Sequence, residues 1–181
     1  MAKRIDIDDM RIATEKRKID PEIIDFIGEL IRDAEQSKEV YINDFVILPI
    51  SRTTTGVPLL HIEPYSMGRQ AGIRLAINQE IFSGRKLADI NKLIEQTSVH
   101  IARNLKEAII HEIGHCKLIQ GKSIAEIEAL YEEIADQGVL GISEIAAIDG
   151  AEAIAEIEIL ISRGEKLSKE AASLYKKYIG G

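Results

Sequence analysis

Two histidines and a glutamate between positions 111 and 115 have the types and spacing best suited to chemistry. Residues 111–115 read His-Glu-Ile-Gly-His. On an α-helix, residues four apart lie on one face, so His111 and His115 can bind the same metal ion, and zinc is the usual metal of this pattern. Glu112 would lie beside the open coordination position, where a general base takes a proton from an attacking water. The spacing therefore predicts zinc-dependent hydrolysis with Glu112 as the general base.

A third zinc ligand is expected farther along the chain. Two imidazoles alone bind zinc weakly, because a catalytic zinc normally has three protein ligands and a water. No further histidine lies close to the motif, which leaves a downstream glutamate as the candidate. Two segments compete, one with Glu132 at 17 residues after His115 and one with Glu152 at 37 residues after it. Each glutamate is followed four residues later by a second carboxylate, Asp136 or Glu156.

The composition is that of a soluble globular protein and argues against two partner classes. The 181 residues, 45% of them hydrophobic, suffice for one domain with a real core. A net charge of −7 leaves no basic excess to neutralise phosphates, so we expect no nucleic-acid partner. No apolar run is long enough to span a membrane, and the first residues lack the apolar core of a signal peptide. We therefore expect a cytoplasmic protein without a membrane partner, although delivery as part of a larger protein also fits.

The charge is unevenly distributed along the chain. Residues 121–160 carry ten acidic side chains and one basic side chain, Lys122. This imbalance indicates either a solvated acidic helix face or a preference for a basic substrate or partner, and the solvated face is the simpler interpretation.

The hydrophobic periodicity predicts an α+β fold, with a small mixed sheet packed on the helix that carries the motif and a helical C-terminal part. Asp20 and Pro21 are a good helix start, since Asp favours the N-cap and Pro the first turn. Residues 1–19 are charged and weakly patterned, so we expect an N-terminal arm there and a single domain over residues 20–181. We expect helices at 21–36, 87–96, 101–120, 123–137, 151–163 and 167–179, strands at 40–50, 59–63 and 73–77, and loops at 65–72 and 138–150.

The residues that follow the motif resemble a known group of metallopeptidases. Residues 142–156 read Ile-Ser-Glu-Ile-Ala-Ala-Ile-Asp-Gly-Ala-Glu-Ala-Ile-Ala-Glu. This stretch, with the His-Glu-x-x-His motif, resembles the anthrax lethal factor-like peptidases and is similar to the metallopeptidase domains of phage minor head proteins. The resemblance covers residues 70–180 and implies a zincin-like domain. Because these groups carry Glu-x-x-Ala-Glu on a helix, it implies that Glu152 binds zinc and that Glu156 supports a zinc-binding histidine.

The competing segment resembles a different branch of the same metallopeptidases. Glu132 and Asp136 are similar to the thermolysin-like arrangement, in which an Asp four residues after the Glu ligand supports a zinc-binding histidine. That resemblance implies Glu132 as the alternative zinc ligand and Asp136 as its supporting carboxylate.

A segment before the motif also looks like part of these families. Residues 72–82 read Gly-Ile-Arg-Leu-Ala-Ile-Asn-Gln-Glu-Ile-Phe and are similar to the edge strand that precedes the active helix. An extended substrate would add alongside such a strand through main-chain hydrogen bonds. The resemblance therefore implies substrate-binding positions at Ile73, Leu75 and Ile77.

One position departs from the family pattern in a way that bears on activity. In the lethal factor-like group, a tyrosine seven residues before the Glu ligand stabilises the oxyanion, and the matching residue here is Ile145. An isoleucine cannot donate a hydrogen bond, and loss of one oxyanion donor costs about a hundredfold or more in rate. Tyr65, Tyr131 and His100 are the candidates to replace it.

The sequence thus predicts a zinc endopeptidase that acts on a peptide or protein substrate. An alternative is a catalytically weak or inactive zincin that serves as a structural or partner-binding module, in phage assembly or as an effector. A further alternative is a metal-responsive regulator without catalysis. The N-terminal arm could be a pro-segment, in which case Asp6, Asp8 or Asp9 would have to reach the zinc.

Overall fold

Seven helices and three strands occur in the residues that the computed structural model describes, which are 12–13, 17–37, 40–50 and 58–180. None of the helices in these ranges is long and apolar enough to cross a membrane. The pro-segment candidates Asp6, Asp8 and Asp9 lie outside the described residues. The elements, in chain order, are α1 (Pro21–Gln36), β1 (Asp44–Leu48), β2 (Leu60–Met67), β3 (Gln70–Asn78), α2 (Gln79–Phe82), α3 (Leu87–Glu95), α4 (Leu105–Ile119), α5 (Ile124–Ile134), α6 (Gly150–Ser162) and α7 (Lys169–Tyr178).

The α+β class and the small mixed sheet are confirmed, but the expected edge strand is wrong. The sheet has the order β1-β3-β2, with β1 parallel and β2 antiparallel to β3. Because β3 has a hydrogen-bonded neighbour on each side, it offers no free edge to a substrate. Ile73, Leu75 and Ile77 are only 1%, 3% and 0% exposed, so their side chains belong to the core. The edge strand that packs against α4 is β2.

Strand β2 is longer than expected because a proline does not end it. Pro64 was the expected end, with a loop over 65–72, whereas the strand continues to Met67 and turns through Gly68. Asn78 N–H donates to Leu59 O at 2.8 Å, and alternation along the strand then directs Pro64 away from β3. A proline is tolerated at such an edge position, because the missing N–H has no partner to lose. Gly68 has φ +76°, which suits a tight hairpin.

The first helix begins where the sequence predicts. The Asp20 side chain accepts a hydrogen bond from Glu22 N–H at 3.0 Å, and Pro21 occupies the first turn. Ile19, the last residue of the expected arm, is buried and pairs with Ser83. The packed domain therefore includes at least this residue of the arm, since its side chain joins the core.

Helix α4 is shorter at its start than the expected 101–120. Asn104 caps the helix, and its side chain accepts a hydrogen bond from Glu107 N–H at 3.0 Å. The residues before Asn104 form a loop, so His100 is not on the helix. Leu105 and Cys116 on the buried side of α4 are fully buried, so the thiol belongs to the core.

Candidate metal centre

Helices α4 and α6 bring three expected metal ligands together. His111 and His115 lie one turn apart on α4, with 3.2 Å between their Nε2 atoms. Glu152, in the first turn of α6, places Oε2 3.3 Å from His111 Nε2 and Oε1 3.6 Å from His115 Nε2. These three side chains form one of the groups among the described residues that could hold a metal ion.

The separations of these donor atoms fit a tetrahedral ion. Zinc binds nitrogen and oxygen ligands at about 2.0–2.1 Å, which places two ligands of a regular tetrahedron about 3.3–3.4 Å apart. His111 Nε2 lies 3.2 Å from His115 Nε2 and 3.3 Å from Glu152 Oε2, close to this value, and the other oxygen of Glu152, Oε1, lies 3.6 Å from His115 Nε2. Glu152 Oε2 is buried and accepts no hydrogen bond from the residues that the structure describes, although His111 Nε2 lies 3.3 Å away. A cation bound here would interact directly with this oxygen. The donor set therefore suits zinc in size and chemistry.

Glu156 forms a support behind the ligands. Its Oε1 lies 3.4 Å from His111 Nδ1 and 2.9 Å from His100 Nδ1, and its Oε2 accepts a hydrogen bond from Ile101 N–H at 2.9 Å. The side chains of His100, His111 and Glu156 are also close enough together to hold a metal ion. Since both oxygens of Glu156 already have hydrogen-bond donors, the supporting role suits this trio better than ligation.

The N-cap of α6 and a glycine in α4 fix the geometry between the two helices. Asp149 caps α6, and its Oδ1 accepts hydrogen bonds from Ala151 N–H at 2.7 Å and Glu152 N–H at 3.1 Å. A Cβ at Gly114 would lie 2.7 Å from Ala155 Cα, closer than packing allows. The missing side chain thus permits the close approach of α4 and α6.

Glu112 is buried beside the ligands and contacts the edge strand. Its Oε2 accepts a hydrogen bond from Ile62 N–H of β2 at 2.9 Å. Burial raises the pKa of Glu112 to about 7, near the pH at which a general base and acid work best. The motif glutamate therefore has the environment that proton transfer requires.

Burial and the carboxylates shift the pKa values of the ligands in different directions. Burial alone would lower the pKa of His111, but its contacts with Glu152 and Glu156 raise that pKa to about 10. For His115 burial prevails and lowers the pKa to about 4. Burial opposes the ionisation of Glu152 and Glu156, yet contacts with the histidines hold the pKa of each near 2. Both carboxylates are therefore ionised at neutral pH.

A cavity of about 540 Å³ adjoins the centre. Of the three candidate oxyanion donors, Tyr131 and His100 line this cavity, whereas Tyr65 does not and donates its hydroxyl to Met67 Sδ. Ile145 is buried and lines the cavity too. Ile145, which the resemblance matches to a tyrosine, thus lines the cavity but cannot donate a hydrogen bond.

The alternative ligand pair lies elsewhere. Glu132 and Asp136 are exposed and belong to neither potential metal group. Sequence reasoning missed two contacts, His100 with Glu156 and Ile62 with Glu112, which join positions 56 and 50 residues apart. No local pattern signals contacts of that kind, although His100 itself was a candidate.

Comparisons of the chain with models of protein families, with curated proteins and with solved structures give no match. The likeness to lethal factor-like peptidases therefore rests on the residues quoted for it. What the centre can do chemically follows from its geometry, which offers a buried His-His-Glu donor set, an adjacent carboxylate and a cavity beside both.

Proposed function

We propose that this chain is a zinc-dependent endopeptidase. The observation that carries the proposal is the donor set of His111, His115 and Glu152, whose nitrogen and oxygen atoms lie 3.2 to 3.6 Å apart, with the buried carboxylate of Glu112 lining the same cavity. A zinc-binding structural site usually has four protein ligands, whereas three protein ligands leave a position for water or substrate. The adjacent cavity supplies the space for a substrate at that position.

The chain's own residues divide the work of peptide hydrolysis. A bound zinc ion supplies Lewis-acid polarisation and a lowered water pKa. Glu112 accepts the proton of the attacking water and delivers it to the leaving amine. Glu156 Oε1 lies 3.4 Å from His111 Nδ1, from where it would keep the ring oriented with Nε2 toward a bound ion.

Tyr131 is the oxyanion donor in this proposal. It lines the cavity with Glu112 and Glu152, and burial together with these carboxylates raises its pKa to about 12. At neutral pH the hydroxyl therefore keeps its proton and can donate it in a hydrogen bond to a developing negative charge. This assignment replaces the donor that Ile145 lacks.

The substrate strand would add to β2, and not to β3 as the resemblance implied. The outward-facing backbone groups of β2 belong to alternate residues, among them Leu60 and Ile62, and both of these residues line the cavity. Ile62 N–H already donates to Glu112, so this edge passes beside the motif glutamate, and a peptide would pair with the other outward-facing backbone groups of β2. Main-chain pairing there would hold a peptide in an extended conformation. An edge strand, an active helix and a helical C-terminal ligand together support a zincin-like domain.

A second candidate function is a catalytically inactive zincin that binds a partner, in phage assembly or as an effector. Ile145 favours it, because the family position for the oxyanion donor carries an apolar side chain. This candidate predicts that the protein binds zinc but cleaves no member of a broad peptide library.

The experiment that tests the proposal combines metal analysis with cleavage of a peptide library by the parent and by Glu112→Gln. This change keeps the shape and the acceptor for Ile62 N–H but removes the base. We expect equal zinc content in both proteins and a loss of at least about a hundredfold in kcat for the variant. Equal cleavage by the two proteins would exclude the proposed mechanism, and zinc binding without cleavage by the parent would favour the partner-binding candidate.

A further inference from the structure

The carboxylate of the motif glutamate is held by the backbone of the edge strand. Ile62 N–H of β2 donates to Glu112 Oε2 at 2.9 Å, and Glu112 is only 9% exposed. A hydrogen bond to an ionised carboxylate is about twice as strong as a bond between neutral groups, and burial limits the competition from water. The bond therefore fixes a flexible side chain at the place where it would act.

The donor is rigid because it belongs to a paired strand. β2 pairs with β3 from Leu60 opposite Ile77 to Met67 opposite Gln70. Asn78 N–H donates to Leu59 O at 2.8 Å, so the odd-numbered residues of β2 direct their backbone groups at β3 and the even-numbered residues direct theirs outward. The N–H of residue 62 thus points away from β3, and the ladder on the other side of β2 keeps it there.

The bond divides the two oxygens of the carboxylate between two tasks. Ile62 N–H occupies Oε2 of Glu112, which leaves Oε1 as the oxygen that can take a proton from an attacking water. Because the two oxygens belong to one planar group, fixing Oε2 restricts the position of Oε1. A displacement of about 1 Å at a reacting group can cost about a hundredfold in rate, so such a restriction bears directly on proton transfer.

The same N–H is not available to a substrate. Pro64, the next outward-facing residue of β2, has no N–H at all. At residues 62 and 64 the edge therefore offers carbonyl oxygens to an incoming peptide but no free donor. A peptide that pairs with β2 gains nothing from Ile62 N–H, so the loss of this donor should not weaken substrate binding.

We propose, on the basis of the proposed function, that Ile62 is a positioning residue whose main-chain N–H orients the carboxylate of Glu112 for proton transfer. The role belongs to the backbone and not to the side chain, so any residue other than proline can fill it. The strand that would hold the peptide then also orients the base, which keeps the two in a fixed relation.

A pair of substitutions at one position separates the N–H from the side chain. Ile62→Pro removes the donor, and Pro64 shows that β2 accepts a proline at an outward-facing position. Ile62→Ala keeps the donor and shortens the side chain. We expect equal zinc content in both variants and a kcat about 10- to 100-fold lower in Ile62→Pro than in Ile62→Ala, with little change in KM.

A double-mutant cycle with Glu112→Gln shows whether the effect acts through Glu112. In the Glu112→Gln background the base is already absent, so Ile62→Pro should cause no further loss of the residual rate. A general distortion of β2 by the proline would instead lower the rate by the same factor in both backgrounds. Steady-state kinetics on a cleaved library peptide measures all four proteins of the cycle.

A backbone ester at position 62 keeps the test valid if Ile62→Pro fails to fold. Incorporation of 2-hydroxy-3-methylpentanoic acid replaces the N–H by an ester oxygen and retains the isoleucine side chain. Urea unfolding and zinc content identify the variant that keeps the fold and the metal centre. We expect the ester to show the same loss in kcat, at an unchanged KM, as the proline.

The outcomes separate this inference from the proposed function. If the parent cleaves peptides but the folded variant without the N–H matches Ile62→Ala in kcat, the positioning role is excluded while the proposed function stands. A raised KM at unchanged kcat would assign the N–H to the substrate, and an equal loss in both backgrounds of the cycle would assign the effect to distortion. Either result overturns the inference alone. If the parent binds zinc and cleaves no peptide, the proposed function is excluded, and the positioning role with it.

Discussion

Glu156 connects two histidines that lie eleven positions apart in the sequence. It contacts His111 Nδ1 at 3.4 Å and His100 Nδ1 at 2.9 Å, and it is fully buried. A carboxylate behind a ligating imidazole fixes the ring orientation and increases its basicity, and its removal typically lowers metal affinity by about 10- to 100-fold. The metal affinity of the centre is therefore expected to depend on Glu156, although this residue need not bind the metal.

Single substitutions at the two candidate glutamates test which one completes the centre. We expect Glu152→Ala to lower zinc affinity more than about a hundredfold, since loss of a direct ligand should exceed the loss of an outer-shell partner. Glu132→Ala should leave the affinity unchanged, because Glu132 is exposed and belongs to neither group of possible metal ligands. Competition with a chromophoric chelator measures both values. The opposite ranking would restore Glu132 as the ligand.

Removal of one hydroxyl tests the oxyanion donor. Tyr131→Phe keeps the ring in the cavity but removes the hydrogen bond, so kcat should fall about a hundredfold or more with little change in KM. Steady-state kinetics on a cleaved peptide measures both constants, and zinc content should equal that of the parent. Tyr65→Phe is the matched control, since that hydroxyl contacts Met67 outside the cavity. An unaltered kcat in Tyr131→Phe would exclude Tyr131 as the oxyanion donor and leave His100 as the candidate that lines the cavity.

At the level of secondary structure elements, the centre depends on how closely α4 approaches α6. The two helices meet at Gly114, where a Cβ would lie 2.7 Å from Ala155 Cα and 3.0 Å from Glu158 Cγ. The first of these neighbours is backbone and cannot rotate away. Because His111 and His115 flank this contact on α4 and Glu152 lies on α6, the spacing of the helices sets the spacing of the ligands.

Gly114→Ala should therefore weaken both the fold and the metal site. Overpacking costs about 1–3 kcal/mol, which exceeds the roughly 1 kcal/mol that alanine gains over glycine in a helix. Urea unfolding should show a lower free energy of unfolding, and chelator competition a lower zinc affinity. If the variant is as stable as the parent and binds zinc equally well, the contact between Gly114 and Ala155 does not limit the spacing of the two helices.

For the molecule as a whole, one arginine ties the ends of both site helices together. Arg163, at the end of α6, donates to both carboxylate oxygens of Glu107 at 2.8 and 2.7 Å and to Ile101 O at 2.7 Å. Glu107 lies in the first turn of α4 and also accepts a hydrogen bond from Arg103 N–H. The loop that carries His100 is thus held between the two helices.

Loss of this arginine should lower stability in a pH-dependent way. Arg163→Met should reduce the free energy of unfolding by about 2–3 kcal/mol at pH 7, because charge-assisted hydrogen bonds are lost. Hydrogen bonds from Arg163 lower the pKa of Glu107 below its ordinary 4.5, so their contribution is full above pH 4.5 and disappears as the pH falls through the lowered value.

Urea unfolding of parent and variant at pH 7, 5, 4 and 3 checks this expectation. The difference between the two proteins should narrow below pH 4.5. Lys177→Met is the control, since it breaks the exposed pair with Glu133 and should change stability little at any pH. A difference between parent and Arg163→Met that stays constant down to pH 3 would contradict the role assigned to Glu107.

The sequence predicts those parts of the fold that depend on neighbouring residues. The cap at Asp20 appears at its expected place, and the helices expected from 21 and 123 begin at Pro21 and Ile124, because capping and apolar periodicity act within a few residues. The predicted end of β2 at Pro64 is wrong, since the effect of a proline on a strand depends on which side carries the neighbouring strand. The central position of β3 in the sheet could likewise not be predicted from the residues of β3 alone.

The pairing of His111 with His115 was determined by sequence alone, because four residues of α-helix place two side chains on one face whatever surrounds them. The resemblance favoured Glu152 over Glu132, but only the tertiary structure brings one of these glutamates to the two histidines. Glu132 and Glu152 are equal candidates by residue type, and the packing of α6 on Gly114 brings one of them to 3.3 Å from His111 and leaves the other in solvent. The edge strand beside Glu112 was decided in the same way, since strand partners are chosen by contacts between distant segments of the chain.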